Sequence, residues 1–415
     1  MTGSTAGRFM AGRRRGTLPR VALAMSVLVI LFAAVRVATG QPSLTSSGQV
    51  GAALSLAVPI GLAALGGLWS ERVGVINIGL EGMMILGTWF GAWAGLQGGP
   101  WVGVLAGVLG GALGGLLHAV ATVTFGVDHI VSGVAINILA AGMVRYLSSL
   151  AFVGTEGGGI TQSPPVPEIA AVTVPGVSSW LVEVQERQWF LLSDVAGILG
   201  GFVTHLSLLT ILALALVPLT YYVLWRTSFG LRLRSCGENP AAAESLGVPV
   251  HRLKYVAIVT SGGLAGLGGV FLVTVASSIY REGQTAGRGF IGLAAMIFGN
   301  WRPGGLAGGA ALFGYTDALQ LRAGGGSVHA LLLLVAVLLV GYGVWHAVRG
   351  RRRAAFTSTA VAAALVATFL STTTVPGEFT SFLPHLTTLL VLSLATQRLR
   401  PPKAIGRPYR RREAT

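Results

Sequence analysis

The sequence predicts an all-α protein: a polytopic membrane helix bundle with about ten crossings and one broken or re-entrant helix. Three observations predict it. Of the 415 residues, 53% are hydrophobic and 10% are charged, against roughly 25% charged in soluble proteins. Apolar runs recur along the chain at about the 20 residues that a helix needs to cross a bilayer, and the short alternating segments of a β-barrel do not occur. Finally, 21 of the 29 Lys and Arg residues fall in four blocks: five in 8–20, five in 226–254, four in 349–353 and seven in 398–412. Segment 153–204 has the opposite character, with Arg187 standing against Glu156, Glu168, Glu183, Glu186 and Asp194. Such asymmetry marks which loops stay inside a membrane. It accounts for the net charge of +15 without nucleic acid as a partner, and gives anionic lipid a secondary attraction to the basic blocks.

The basic blocks order the elements. Residues 1–48 read as a basic cytoplasmic N-terminus with an extra first helix near 21–39. Its apolar run, VALAMSVLVILFAAV, is long for a signal-peptide core, so the helix is read as retained. With the N-terminus inside and 153–204 outside, an odd number of crossings separates them. Five fit: about 21–39, 49–69, 73–95, 100–125 and 129–152. A helix near 205–225 returns the chain to the cytoplasm and leaves loop 226–254 there, and helix 255–279 goes out again. Block 349–353 must be inside, so only one of the segments 289–320 and 328–348 crosses. GNWRPGG, residues 299–305, interrupts the first with Pro303 and glycines. Segment 289–320 is therefore expected to enter and leave from the outside, covered by protein. Helices near 354–371 and 380–397 complete a transmembrane domain of 49–397, followed by a basic cytoplasmic tail, 398–415. The external segment 153–204 contains Gly157, Gly158, Gly159, Pro164, Pro165, Pro167 and Pro175, with an amphipathic patch from Trp180 to Leu192. A disordered loop and a small lid both fit it.

Enzyme chemistry finds little support. There is no HExxH, no Cys/His metal spacing and no GxSxG, so no catalytic residue and no metal ligand is assigned. The seven histidines are scattered and suit helix packing. The single cysteine, Cys236, excludes a disulfide framework and a CxxC site, and reads as an inert thiol. SGGLAGLGG, residues 261–269, follows no strand and reads as a close helix-packing surface. The only lysines are Lys254 and Lys403, and neither follows a glycine, whereas a P-loop needs Gly-Lys-Ser/Thr. No cofactor is expected in this chain; if it moves solute with ATP energy, a separate subunit must hold the ATP and Mg.

Two stretches invite a functional reading. Glu81 and Asp317 are the acids expected inside membrane elements, where a charge costs on the order of 2.5–3.5 kcal/mol. Asn77 and Glu81, four residues apart, would share a helix face, with Gly74, Gly79, Gly82, Gly87 and Gly91 admitting neighbouring backbones. Either this face lines a solute path or Glu81 is a buried hydrogen-bond hub. In loop 226–254, ENPAAAESLG has the chemistry of a short helix: Asn239 as cap, Pro240 in the first turn, an Ala run and Gly247 as terminator. Flanked by Arg232, Arg234, Arg252 and Lys254, that helix suits docking of a partner.

These residues resemble an ABC-importer permease of the nucleoside/simple-sugar type, within the ribose/branched-chain amino acid permease superfamily. GGLWSERVGVINIGLEGMMILG (66–87) is similar to the signature near the second and third helices. GENPAAAESLGVPVHRLKYVAIVTSGGLAGLGGVF (237–271) resembles the coupling loop and following helix, GRGFIGLAAMIFGNWRPGG (287–305) the late broken helix, and PPKAIGRPYRR (401–411) the basic tail. The resemblance spans most of the chain from residue 50 onward. It implies a second related permease subunit, a cytoplasmic ABC ATPase and an external substrate-binding lipoprotein as partners. It assigns Glu238, Asn239, Ala242, Glu244 and Gly247 to the ATPase-coupling helix. Asn77, Gly79, Glu81 and Gly82 match the first signature; Arg288, Gly289, Phe290, Asn300 and Trp301 match the third. Asn77, Glu81, Arg288, Asn300 and Trp301 are the residues expected along the translocation path, with Trp301 either stacking on a base or anchoring the break. The extra first helix and the long segment 153–204 depart from the family pattern.

The expected function is the transport subunit of an importer of nucleosides or related sugar-containing solutes, in a prokaryotic plasma membrane, with both termini cytoplasmic. The alternatives are an ABC permease for simple sugars, and an ion-coupled secondary carrier using Glu81 and Asp317 as relay carboxylates.

Overall fold

The computed structural model describes residues 18–376 and 399–409. Fifteen α-helices are found among them: α1 (Leu18–Thr39), α2 (Ser47–Arg72), α3 (Leu80–Gly98), α4 (Pro100–Ala119), α5 (His129–Ala151), α6 (Val177–Glu186), α7 (Leu192–Gly201), α8 (Leu208–Arg226), α9 (Ser228–Glu238), α10 (Pro240–Ser245), α11 (Val250–Phe271), α12 (Arg288–Phe298), α13 (Pro303–Ala318), α14 (Gly324–Val348) and α15 (Arg352–Ser371). Wider π-type turns extend α4, α11 and α13 to residues 124, 276 and 323. The one sheet among the described residues is an antiparallel pair, Ala171–Val172 with Leu206–Ser207. Eight of the helices are long and apolar enough to cross a membrane. Helix α3 and the α12–α13 pair complete the bundle. The expected helix 380–397 lies outside the described residues.

The helix ends gather at two poles. At one, Gly74 meets Gly237 and Ala404, and Arg72 donates to the Trp301 carbonyl. At the other, Arg36 meets Asp194, Ser43 meets Ser327 and Ser163 meets Tyr280. The basic residues of 226–254 and 399–409 lie at the first, the acidic segment 153–204 at the second. The hairpin is as expected: α12 descends to the basic pole, the chain breaks at 299–302, and α13 climbs back, with Gly314 packed on Ala53 and Ala57 of α2.

Close helix packing organises the centre. Helices α3, α4 and α11 meet backbone to backbone: methyl groups on Gly103, Gly107 and Gly115 would lie 2.6–2.7 Å from the carbonyl oxygens of Gly91, Gly87 and Ile258. Gly262 and Gly266, in the stretch read as a packing surface, oppose Gly111 and Gly107. Lipid is as apolar as these side chains, so dispersion between near backbones, rather than water exclusion, holds such helices together.

Two expectations change, and one left open is narrowed. Residues 73–79 are not helical, so the expected helix 73–95 starts only at Leu80. Asn77 therefore lies in a break between α2 and α3, and Asn77 and Glu81 do not share a helix face. Glu71, expected beyond the end of a helix, is 4% exposed inside α2. Segment 153–204 is ordered, with α6, α7 and a strand. Arg36 of α1 clamps it by donating to both oxygens of Asp194, at 2.7 and 3.1 Å, and Thr45 donates to the same carboxylate at 2.6 Å. The two departures from the family pattern thus pack on each other.

Candidate functional site

The break at 73–79 places irregular backbone inside a membrane bundle, where each freed polar group needs a protein partner. Side chains supply them. Ser70 donates to the Val75 carbonyl at 2.7 Å. His118 bonds the Ile76 carbonyl through Nε2 at 2.9 Å and Ser132 through Nδ1. Asn137 spans the start of α3, donating to the Ile78 carbonyl at 3.1 Å and accepting from the Gly82 amide at 2.7 Å. Asn77 is fully buried. Its Nδ2 donates to Ser261 at 2.9 Å, while its Oδ1 has no hydrogen-bond partner among the described residues.

Glu81, in the first turn of α3, reaches the start of α12. Its two oxygens accept the amides of Gly287 at 2.9 Å and Gly289 at 2.7 Å. Helix α12 has no side-chain cap of its own. A carboxylate on the free amides of a helix N-terminus neutralises orphan donors and meets the positive end of the dipole. The approach is tight, since a Cβ on Gly289 would lie 2.6 Å from Glu81 Cα. Arg288, between the two held amides, donates to the carbonyls of Gln284 and Thr285. Its Nε and the Gln284 Nε2 are buried without partners among the described residues.

Asn300 and Trp301 lie elsewhere, past the far end of α12. Both adopt left-handed backbone, φ +54° and +53°, which costs energy for residues with a Cβ. The turn is held by α2: Trp301 Nε1 donates to Glu71 at 2.5 Å, and the Trp301 carbonyl accepts from Arg72. Trp301 is 5% exposed, and Asn300 accepts the Arg400 amide at 2.8 Å. The five expected path residues therefore fall in three places: Glu81 and Arg288 at the head of α12, Asn77 in the α2–α3 break against Ser261 of α11, and Asn300 and Trp301 bracing the foot of α12. Asp317 is in the last turn of α13, near the opposite pole from that brace.

No group of three His, Cys, Asp or Glu able to hold a metal occurs among the described residues. Comparison with known proteins supplies the family. The family described as the permease component of branched-chain amino acid transport systems matches residues 49–342. The chain belongs to it. This permease is 38% identical over 280 residues to the guanosine ABC transporter permease protein NupQ of Bacillus subtilis, covering 66% of this chain and 81% of that one. It is 34% identical to the nucleoside ABC transporter permease protein NupC of Lactococcus lactis, covering 65% and 81%. It is 31% identical to the putative glucose ABC transporter permease protein TsgC13 of Haloferax volcanii, covering 67% and 78%. No solved structure matches the permease. Helix α1 precedes the matched region and α15 follows it.

At the basic pole, the permease builds loop 226–254 from two helices. The first, α9, was not foreseen. The second is the expected short helix: Asn239 caps α10 by accepting the Ala242 amide at 3.1 Å, Pro240 opens it, and Gly247 follows it at φ +79°. Ala243 is buried, Ala242 and Gly247 are exposed, and Leu246 at the tip is 84% exposed. Glu238 closes α9 immediately before this cap.

Sequence reasoning missed Glu71, His118, Asn137, Gln284 and Leu246. Asn137 carries the one visible signal, a polar amide within an apolar crossing. Glu71 and His118 act through partners far away in the chain.

Proposed function

We propose that this multi-pass membrane protein is the permease of an ATP-driven importer of nucleosides. A second, related permease would complete the pair, a binding lipoprotein would deliver solute at the acidic pole, and separate cytoplasmic ATPase subunits, holding ATP and Mg, would dock at the basic pole. The termini and the basic pole then face the cytoplasm of a prokaryotic cell, as the charge asymmetry favours. The observation that carries the coupling reading is α10: a capped helix on a basic surface with a solvent-exposed leucine at its tip. A self-sufficient carrier has no use for it, and the Glu81 carboxylate, held by two amides, is poorly placed to relay ions to Asp317. The nucleoside assignment rests on the guanosine and nucleoside permeases to which the chain is 38% and 34% identical.

The solute path would run past the head of α12. Arg288 Nε and Gln284 Nε2 there, and Asn77 Oδ1 in the α2–α3 break, are buried polar atoms without hydrogen-bond partners among the described residues, and such atoms call for an explanation. A ribose hydroxyl or a base edge would satisfy them. Glu81 would hold the mouth of this site in shape, and Trp301 with Asn300 would anchor its base rather than stack on solute. Uptake of labelled guanosine and glucose in cells with and without the partner ATPase tests the proposal. Guanosine uptake that disappears with the ATPase supports it; uptake that persists, or accumulation of glucose alone, overturns it.

A further inference from the structure

The last described residues, 399–409, lie across the basic pole and touch both helix breaks and the α9–α10 region. The Arg400 amide donates to Asn300 in the α12–α13 break at 2.8 Å. The Ala404 amide donates to the Gly237 carbonyl at the end of α9 at 2.9 Å, and the Gly406 amide to the Gly74 carbonyl in the α2–α3 break at 3.1 Å. Tyr409 donates through its hydroxyl to Glu244 of α10. Its ring lies 5.8 Å from that of His251 and 5.5 Å from Lys254 Nζ. Leu399, Ile405 and Tyr409 pack on the main core cluster.

The contacts are selective. Gly74 and Asn300 are the left-handed turning points of the two breaks, and Gly237 and Glu244 flank the cap of α10. Eleven residues of tail thus join the exposed helix to both hinges, at positions where freed backbone would otherwise need other partners. Gly406 is itself at φ +74°, a left-handed conformation that strains any residue with a Cβ.

We propose that residues 399–409 are a strap that transmits displacement of α10 to the two helix breaks, and so to the head and foot of α12. The inference rests on the coupling role of α10 proposed above. Gly237, just before α10, already packs on Gly74; the strap adds Asn300, so that a push on α10 moves both breaks together. The tail is therefore a positioning element for transport, in addition to being a basic block that orients the protein.

The test uses the full importer reconstituted in liposomes, with guanosine as the probe and guanosine moved per ATP hydrolysed as the readout. Tyr409→Ala and Gly406→Val are expected to lower this ratio at least about five-fold, the lower range of coupling between sites, while ATP hydrolysis continues. Tyr409→Phe removes only the hydroxyl on Glu244 and serves as the readout if the other variants fail to insert. An unchanged ratio in whichever variants insert overturns the strap. Glu244→Lys is measured in parallel. If it uncouples transport while the tail variants do not, the strap alone fails; if it also transports normally, the coupling role of α10 fails with it.

Discussion

Glu81 and Gly289, 208 residues apart, are joined by a 2.7 Å hydrogen bond in which a membrane carboxylate caps a helix that starts within the bundle. The bond turns two breaks into one device, because it fixes the end of the α2–α3 break against the start of α12. Removing the charge while keeping the shape tests it. In Glu81→Gln, guanosine uptake should fall more than membrane insertion does, and thermal stability in detergent should drop by about 1 kcal/mol, the usual worth of a helix cap. Equal loss of uptake and insertion would reduce Glu81 to a folding role.

Gly289→Ala probes the same contact from the other side. Its methyl would meet Glu81 backbone, which cannot rotate away, so a loss of about 1–3 kcal/mol is expected from overpacking. Scanning calorimetry of the purified protein checks this. An unchanged melting temperature would mean that α12 sits more loosely than the hydrogen bonds imply.

The Trp301–Glu71 pair is expected to hold the foot of α12. Trp301→Phe leaves a buried carboxylate with one fewer donor, and should cost about 1–3 kcal/mol. Glu71→Gln keeps an acceptor for the indole and should cost less. The order of the two melting temperatures decides, and a milder effect in Trp301→Phe would contradict the brace.

Arg36 and Asp194 fasten the external segment to α1. Both are buried, so Asp194→Asn strands a guanidinium and should cost about 3–5 kcal/mol, whereas Arg36→Met combined with Asp194→Leu should recover much of that loss. Protease resistance of residues 153–204 follows the fastening: the single variant should be cut quickly and the double variant slowly.

Burial pushes the Cys236 thiol from its ordinary value of 9.0 up to about 11. The thiolate is the reactive form, so maleimide labelling at pH 8 should be slow in the folded protein and fast in dodecyl sulfate. The folded value lies above the unfolded one. The resulting stability is therefore complete below about pH 9 and is lost as pH rises towards 11, and labelling of Cys236 in the folded protein should accelerate in that window.

The crossings were legible because a bilayer demands about 20 apolar residues and the chain supplies them. Helix α10 was legible because Asn239, Pro240 and Gly247 form a local cap and stop. The break at 73–79 was not. VGVINIG is as apolar as a helix, and what unwinds it is donated from a distance by His118 and Asn137. Spacing rules relate residues within a few turns, so Asn77 and Glu81 were placed on one face that does not exist, and the Glu81 partners at 287 and 289 were out of reach. The brace was hidden by a small boundary error: ending the second helix at residue 69 left Glu71 outside the membrane.

Where α3, α4 and α11 touch through glycine backbones, no side chain can change rotamer to absorb a displacement. The three helices therefore act as a stator. Substituting alanine along the α4 glycines would jam this frame rather than tune it.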